Sequence, residues 1–265
     1  MHLLLLLMTW QAPPNTGAKI VLGHQRAAYR IQIPNADFEP IEYHNNGFSQ
    51  KVTVMGDSAL LVVHTHTKPL TTKAVAKTTA PLPEALEPLE TQLNAVAGQP
   101  LTYQIEILFD WLGRHIEAEQ KFNPDQSLEK IIRSHRANCV GLANLALFIL
   151  DRMGVKARYV TGIAFQPNDP AVLTLEGAVL HRWIEIHYPD IGWVFADPAG
   201  KVNHVEARYL ILGIQGLHPL KKYLLALQGS KVELLTFQNG LQIVARQEGM
   251  ENKLQIRPNR LFLAP

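Results

Sequence analysis

The sequence predicts an α+β fold: a run of helices packed on an antiparallel β-sheet, with a small β region before it and a β-hairpin after it. Three observations predict it. Apolar residues recur at helical spacing between Glu87 and Gly154, then switch to period two from Lys156 to Pro198. Alternating runs rich in β-branched residues precede the helices, between residues 19 and 66. In VELLTFQNGLQIVARQ, Asn239-Gly240 reads as a two-residue hairpin turn. A chain of 265 residues has room for one or two domains. The expected division is an N-terminal β region over 19–75, a core over 80–215 and a C-terminal hairpin extension over 216–265.

Composition narrows the partners. A formal charge of +2 with no block of Lys or Arg argues against nucleic acid and against an anionic membrane surface. With one cysteine no internal disulfide can form, so cysteine usage leaves the redox compartment open. Leu3 to Leu7 and Met8 make an apolar run as long as a signal-peptide core and far too short to span a bilayer. No basic residue precedes it, and Thr16-Gly17-Ala18 could serve as a cleavage site. Residues 1–18 are therefore set apart as a signal peptide or disordered N-terminus. A signal peptide implies a periplasmic or extracellular protein, and its absence a cytoplasmic one. No stable membrane span is expected.

The elements follow in order. Tyr29-Arg30-Ile31-Gln32-Ile33 alternates as a strand, and KVTVMGDSALLVVHTHT holds two strands around Gly56-Asp57. Asn45-Asn46-Gly47 is turn chemistry, and Thr67 to Pro83 has the Thr, Lys, Ala and Pro content of a linker. Pro88 and Gly98 bracket a first helix. Leu101, Ile105, Leu108, Phe109, Leu112 and Ile116 share one face of a second. NPDQSLEKIIRS opens on an N-cap-like triplet of Asn123, Pro124 and Gln126. CVGLANLALFILDRMG is apolar nearly all round, so that helix must be buried on most faces, with Gly154 as its stop. KARYVTGIAF, LHRWIEIHYP and IGWVFADP then read as three strands, and residues 204–215 as a short helix.

The chemistry gathers on one of these helices. A thiol is a poor nucleophile until it ionises, and a helix N-terminus or a neighbouring imidazolium favours the thiolate. Cys139 stands where the polar run SHRAN meets the apolar helix. The unpaired N–H groups there could also stabilise an oxyanion. Alternation puts His181, Trp183 and Glu185 on one face of their strand and Arg182, Ile184 and Ile186 on the other. A tight turn at Pro189–Gly192 would make the next strand an antiparallel neighbour and bring Asp197 near His181. A carboxylate so placed can hold the imidazole's tautomer and stabilise its cation.

A cysteine at a helix start, then His-x-Trp-x-Glu, then Gly-Trp-x-x-x-Asp-Pro: this order resembles the transglutaminase-like superfamily, whose fold is related to papain-type cysteine proteases. The segments that carry it are RANCVGLANLALFILDRMGVKARYVTG, HRWIEIHYPDIGW and VFADPAG, within a resemblance covering roughly residues 85–200. It implies a papain-like core with the nucleophile at the N-terminus of the central helix. Carried over by position, Cys139 is the nucleophile, His181 the general base and acid, and Asp197 the orienting carboxylate. Two departures stand out. Ala137 occupies the place where relatives usually carry a glycine, and Val140-Gly141 follows the cysteine in place of the tryptophan of animal cross-linking enzymes. The second departure leans towards the bacterial relatives and favours hydrolysis of a peptide or glutamine amide over protein cross-linking.

Asn138 and Trp183 are substrate-cleft candidates, although a strand tryptophan is more often core. Glu185 is expected in a salt bridge without a catalytic role, and His187 as an ordinary packing or surface residue. His64-Thr65-His66 is the one close histidine pair and lacks an evident third ligand, so neither metal nor cofactor is expected. The expected partner is a protein or peptide substrate. The competing readings are a catalytically silent binding or scaffold protein of the same fold, and an acyltransferase of the arylamine acetyltransferase type.

Overall fold

A computed structural model describes residues 19–32, 41–76, 80–119, 125–165, 171–175, 180–217, 227–246 and 254–257. The candidate signal segment 1–18 and residues Asn123 and Pro124 lie outside the described residues.

The chain starts with strand β1 (Lys19–Gln32), then β2 (Tyr43–Asn45), β3 (Phe48–Met55) and β4 (Ser58–Thr67). β3 and β4 form a hairpin about Gly56-Asp57, where Met55 pairs with Ser58. The stretch from Lys68 to Pro83 has no regular structure where described, yet it is tied down. Thr72 Oγ1 donates to Asp190 Oδ1 at 2.6 Å and the Lys73 N–H to Asp190 Oδ2 at 2.7 Å.

Helices α1 (Glu87–Ala95) and α2 (Leu101–His115) come next, with Pro88 in the first turn of α1. The apolar face expected of α2 is buried from Leu101 to Leu112. The short strand β5 (Glu117–Ala118) pairs in parallel with β6 (Arg136–Ala137), and helix α3 (Leu128–Ser134) lies between them. The cap of α3 is Ser127, whose hydroxyl accepts the Lys130 N–H, which corrects the triplet expected at Asn123, Pro124 and Gln126. Gln126 has its own task below.

Helix α4 (Cys139–Arg152) is followed by β7 (Ala157–Ala164), β8 (Val172–Thr174), β9 (His181–Tyr188), β10 (Gly192–Ala196) and β11 (Tyr209–Ile214). Strands order β10-β9-β7-β11 in an antiparallel sheet. The helix expected over 204–215 is instead β11. All six of its residues are buried, and a short apolar run buried on both faces carries no period to separate strand from helix.

The C-terminal strands are β12 (Lys231–Asn239), β13 (Gln242–Arg246) and β14 (Leu254–Arg257). The hairpin expected at Asn239-Gly240 does not form. β12 and β13 run one after the other along the same edge of β1, with Gln25 opposite Asn239 and Leu22 opposite Gln242. Gly240 N–H donates to the His24 carbonyl at 2.9 Å. A Cβ on Gly23, whose φ is +125°, would overlap the Gly240 carbonyl. The two glycines thus serve a close backbone crossing, and β13 turns back later to pair with β14. These strands join β1–β4 and β8 in one eight-stranded sheet, so the N-terminal β region and the C-terminal extension are one structure.

The layers are helices, the β7–β11 sheet, and the larger sheet. On β9 and β10, Ile184, Ile186, Val194 and Ala196 pack into the helices, while Trp183 and Phe195 face Tyr29, Ile31, Leu61 and Val63 of the larger sheet. The period of two in the sequence is this division between two cores. No described helix is long and apolar enough to cross a membrane.

Candidate active site

Helix α4 is held rigid at its start. No residue from Cys139 to Leu150 is exposed, as an all-round apolar helix requires. Asn138 is its N-cap: Oδ1 accepts the N–H groups of Val140 and Gly141 at 2.9 and 3.2 Å. That side chain, expected in the substrate cleft, is occupied by the cap, because the free N–H groups of a helix start are its nearest donors. Gln126 braces the cap from behind, accepting the Asn138 N–H at 3.0 Å on Oε1 and donating from Nε2 to Glu119 at 2.8 Å. Ala137 is fully buried against this turn. A Cβ on Gly141 would lie 2.9 Å from the Ala137 Cβ and overlap Gln126 Oε1. Space for one methyl group is therefore filled from Ala137, and Gly141 supplies the matching gap.

Across from this turn, the start of β9 presents His181. Cys139 Sγ hydrogen-bonds the His181 ring and accepts the Arg182 backbone N–H. The other side of the imidazole meets Asp197, with Nε2 to Oδ2 at 2.7 Å. Because Nε2 is taken by the carboxylate, Nδ1 is the nitrogen left for the thiol. Asp197 follows the last residue of β10 and is held by its own turn: its backbone exchanges hydrogen bonds with Lys201, and Oδ1 accepts the Ala199 N–H at 3.0 Å. The structure thus brings Cys139, His181 and Asp197 into one hydrogen-bonded chain.

A fourth member was not visible in the sequence. Tyr209 Oη donates to Asp197 Oδ2 at 2.6 Å from the first residue of β11. Its ring stands edge-on to His181, with centroids 5.8 Å apart. Reading 204–215 as a helix hid the one signal available, a tyrosine opening a strand beside β7.

Trp183 is 0% exposed, which corrects its place as a cleft candidate. Two residues after His181 on the same face, it lies under the imidazole, with rings 5.9 Å apart and 21° from parallel. The larger sheet covers that face, so the indole packs on Phe195 and Tyr209.

Electrostatics separates charge along the chain of three. Burial pushes the Cys139 thiol up, but the hydrogen bond and charge of His181 and the Arg182 N–H outweigh it and leave the thiol below its usual range. Burial pushes His181 down, yet Asp197 and Cys139 together raise it to about 10. Burial likewise raises Asp197, and the His181 cation, Tyr209 and Ala199 bring it below the usual carboxylate range. All three shifts favour a thiolate, an imidazolium and a carboxylate together.

Glu185 is fully buried and paired with Arg158 at 2.8 Å, as a strand-face salt bridge. It also accepts Tyr43 Oη and Asn45 Nδ2, each at 2.7 Å, which ties the larger sheet to the core. His187 packs edge-on against Trp193. His66 stacks on His24 across the sheet, and no group of three or more metal-ligating side chains occurs among the described residues.

Residues 89–198 match the family profile of the transglutaminase-like superfamily. The segment is similar to a transglutaminase-like core. Cys139, His181 and Asp197 all lie within it, and Tyr209 lies beyond its end. Solved structures similar to the chain include a candidate cysteine protease from Cytophaga hutchinsonii. It is 13% identical over 89% of this chain and 92% of its own, with a TM-score of 0.37. The periplasmic domain of TgpA from Pseudomonas aeruginosa is 16% identical over 68% of this chain and 71% of its own, with a TM-score of 0.40. Superpositions this loose add no weight to the sequence match. No curated protein matches the chain.

Proposed function

We propose that this protein is a cysteine-dependent acyl-transfer enzyme acting on peptide or glutamine amides. One observation carries the reading: the thiol at the N-terminus of α4 is hydrogen-bonded to an imidazole that a buried carboxylate holds at 2.7 Å. Thiolate Cys139 attacks the amide carbonyl, and the new S–C bond puts the negative charge on oxygen, where the helix-start N–H groups favour it. His181 gives its Nδ1 proton to the amide nitrogen as the C–N bond breaks, leaving a thioester on Cys139 and a free amine. Water then attacks the thioester with His181 as base, and the acid departs with the thiol restored. An amine in place of water would complete transamidation. Val140-Gly141 after the cysteine favours water, so the reading is a peptidase or amidase.

Iodoacetamide tests the activation. At pH 6 Cys139 should be alkylated on the order of tenfold faster than a free peptide thiol, since the latter is almost wholly protonated there. His181→Ala should bring it back to the free-thiol rate. Equal, slow rates in both proteins would leave only a silent protein of the same fold. Peptide amides and glutamine donors, assayed with and without added amine, then separate hydrolysis from transamidation.

A further inference from the structure

The helix-facing side of β9 carries groups that the triad leaves unused. Arg182 follows His181, and its backbone N–H points at Cys139 Sγ. Its guanidinium lies 5.0 Å over the Tyr159 ring. Tyr159 Oη donates to Asn144 Oδ1 at 2.7 Å, and both residues line a groove of about 580 Å³ along α4 with Leu147 and Phe148.

Beyond the lining of that groove, on the paired strands β7 and β9, two buried donors have no acceptor. Arg182 Nε is buried and unpartnered. Thr161, 3% exposed, stands directly opposite Arg182 in the β7–β9 register, and its Oγ1 is unpartnered too. Opposed residues on one face of a sheet have their side chains within reach of a common ligand. Arg158 and Arg208 each have a carboxylate at 2.8 Å, whereas among the described residues none pairs with Arg182. Unmet buried donors are costly, and a partly buried cation without a counter-ion calls for an anion. A guanidinium fork with an adjacent hydroxyl matches a carboxylate.

We propose that Arg182 and Thr161 form a carboxylate-binding subsite beside Cys139, so that the amide this enzyme cleaves lies next to an acidic group. The group is the side chain of an acidic residue or the free carboxylate of a chain end. The proposal rests on Cys139 being the nucleophile, and it names the substrate class for that site.

The test uses the whole protein and three alkylating probes with one reactive carbon: N-iodoacetyl-glutamate α-amide, N-iodoacetyl-glutamine α-amide and N-iodoacetyl-glutamine. The first carries a side-chain carboxylate, the second no charge and the third a terminal carboxylate. One or both acidic probes should label Cys139 about tenfold faster than the neutral one, and the faster of them identifies the source of the carboxylate. Arg182→Gln should bring the ratio of acidic to neutral rates close to one, and Thr161→Val should lower it by a smaller factor. Because the reading is a ratio, a general loss of reactivity cancels. If Arg182→Gln fails to fold, Thr161→Val decides, and an unchanged ratio there overturns the subsite. A wild-type ratio near one means that water satisfies both donors and ends the proposal. A ratio that survives Arg182→Gln assigns the carboxylate to the His181 cation and ends it equally. The neutral probe alone reports on the triad, so slow labelling by it counts against the nucleophile and not against the subsite.

Discussion

The two faces of β9 are built on opposite principles. Beyond Arg182 the face towards the helices is apolar, with Ile184 and Ile186 fully buried among α2 and α4 residues, and this packing delivers the thiol through the rigid start of α4. The face towards the larger sheet holds buried polar groups: Glu185 with Arg158, Tyr43 and Asn45, and Asp197 with Tyr209 at the end of the neighbouring strand. One layer places the thiol by shape, which dispersion and burial can do without direction. The other orients the imidazole by hydrogen bonds, which have direction but cost much when one partner is missing. His181 sits at the strand end where both layers reach it. The contrast teaches that volume changes should damage the first face and charge changes the second.

The largest effect is expected at Glu185. Glu185→Gln keeps the volume but leaves Arg158 without its carboxylate, and should cost about 3 kcal/mol in urea unfolding. A loss below about 1 kcal/mol would mean that the polar face is held by packing after all.

Next is Tyr209→Phe, which keeps the ring and removes one charge-assisted bond to Asp197. The native environment lowers the Asp197 pKa, so its contribution is present at neutral pH and lost as pH falls through the native value. Tyr209 is one cause of that lowering. Its hydroxyl gone, Asp197 takes up its proton at a higher pH, and the acid limb of Cys139 alkylation by iodoacetamide should move up. The rate should fall about tenfold at about pH 4, in the ordinary carboxylate range, and hold at pH 7. A uniform fall with an unmoved limb would assign Tyr209 to packing alone. On the alkaline side, acyl transfer should fade only as pH approaches about 10, where His181 loses its proton.

The smallest effect is the mirror of the first. Ile184→Val, one residue from Glu185 and pointing the other way, should cost about 1 kcal/mol without moving either limb of the pH profile.

Local patterns were enough for much of this molecule. The helical spacing of α2, the all-round apolar run of α4 with an asparagine before it, and the alternation along β9 each follow from side-chain periodicity against a single neighbouring layer. Cys139 at a helix start and His181 facing the end of the next strand are consequences of those patterns, because a short turn leaves antiparallel pairing as the compact solution. Other features depend on residues far apart in the chain. Asn239-Gly240 has the chemistry of a tight turn, but β1 offers an edge long enough to take β12 and β13 in line, and Gly23 lets the backbones cross. Buried on both faces, β11 shows no period, so the tyrosine beside Asp197 appears only once that strand is laid against β7. Trp183 is sealed by a sheet whose strands come from both ends of the chain. Periodicity reports which side of an element is buried; it does not say what lies against it, and here the partners of Asp197 and Trp183 are set by that second layer of contacts.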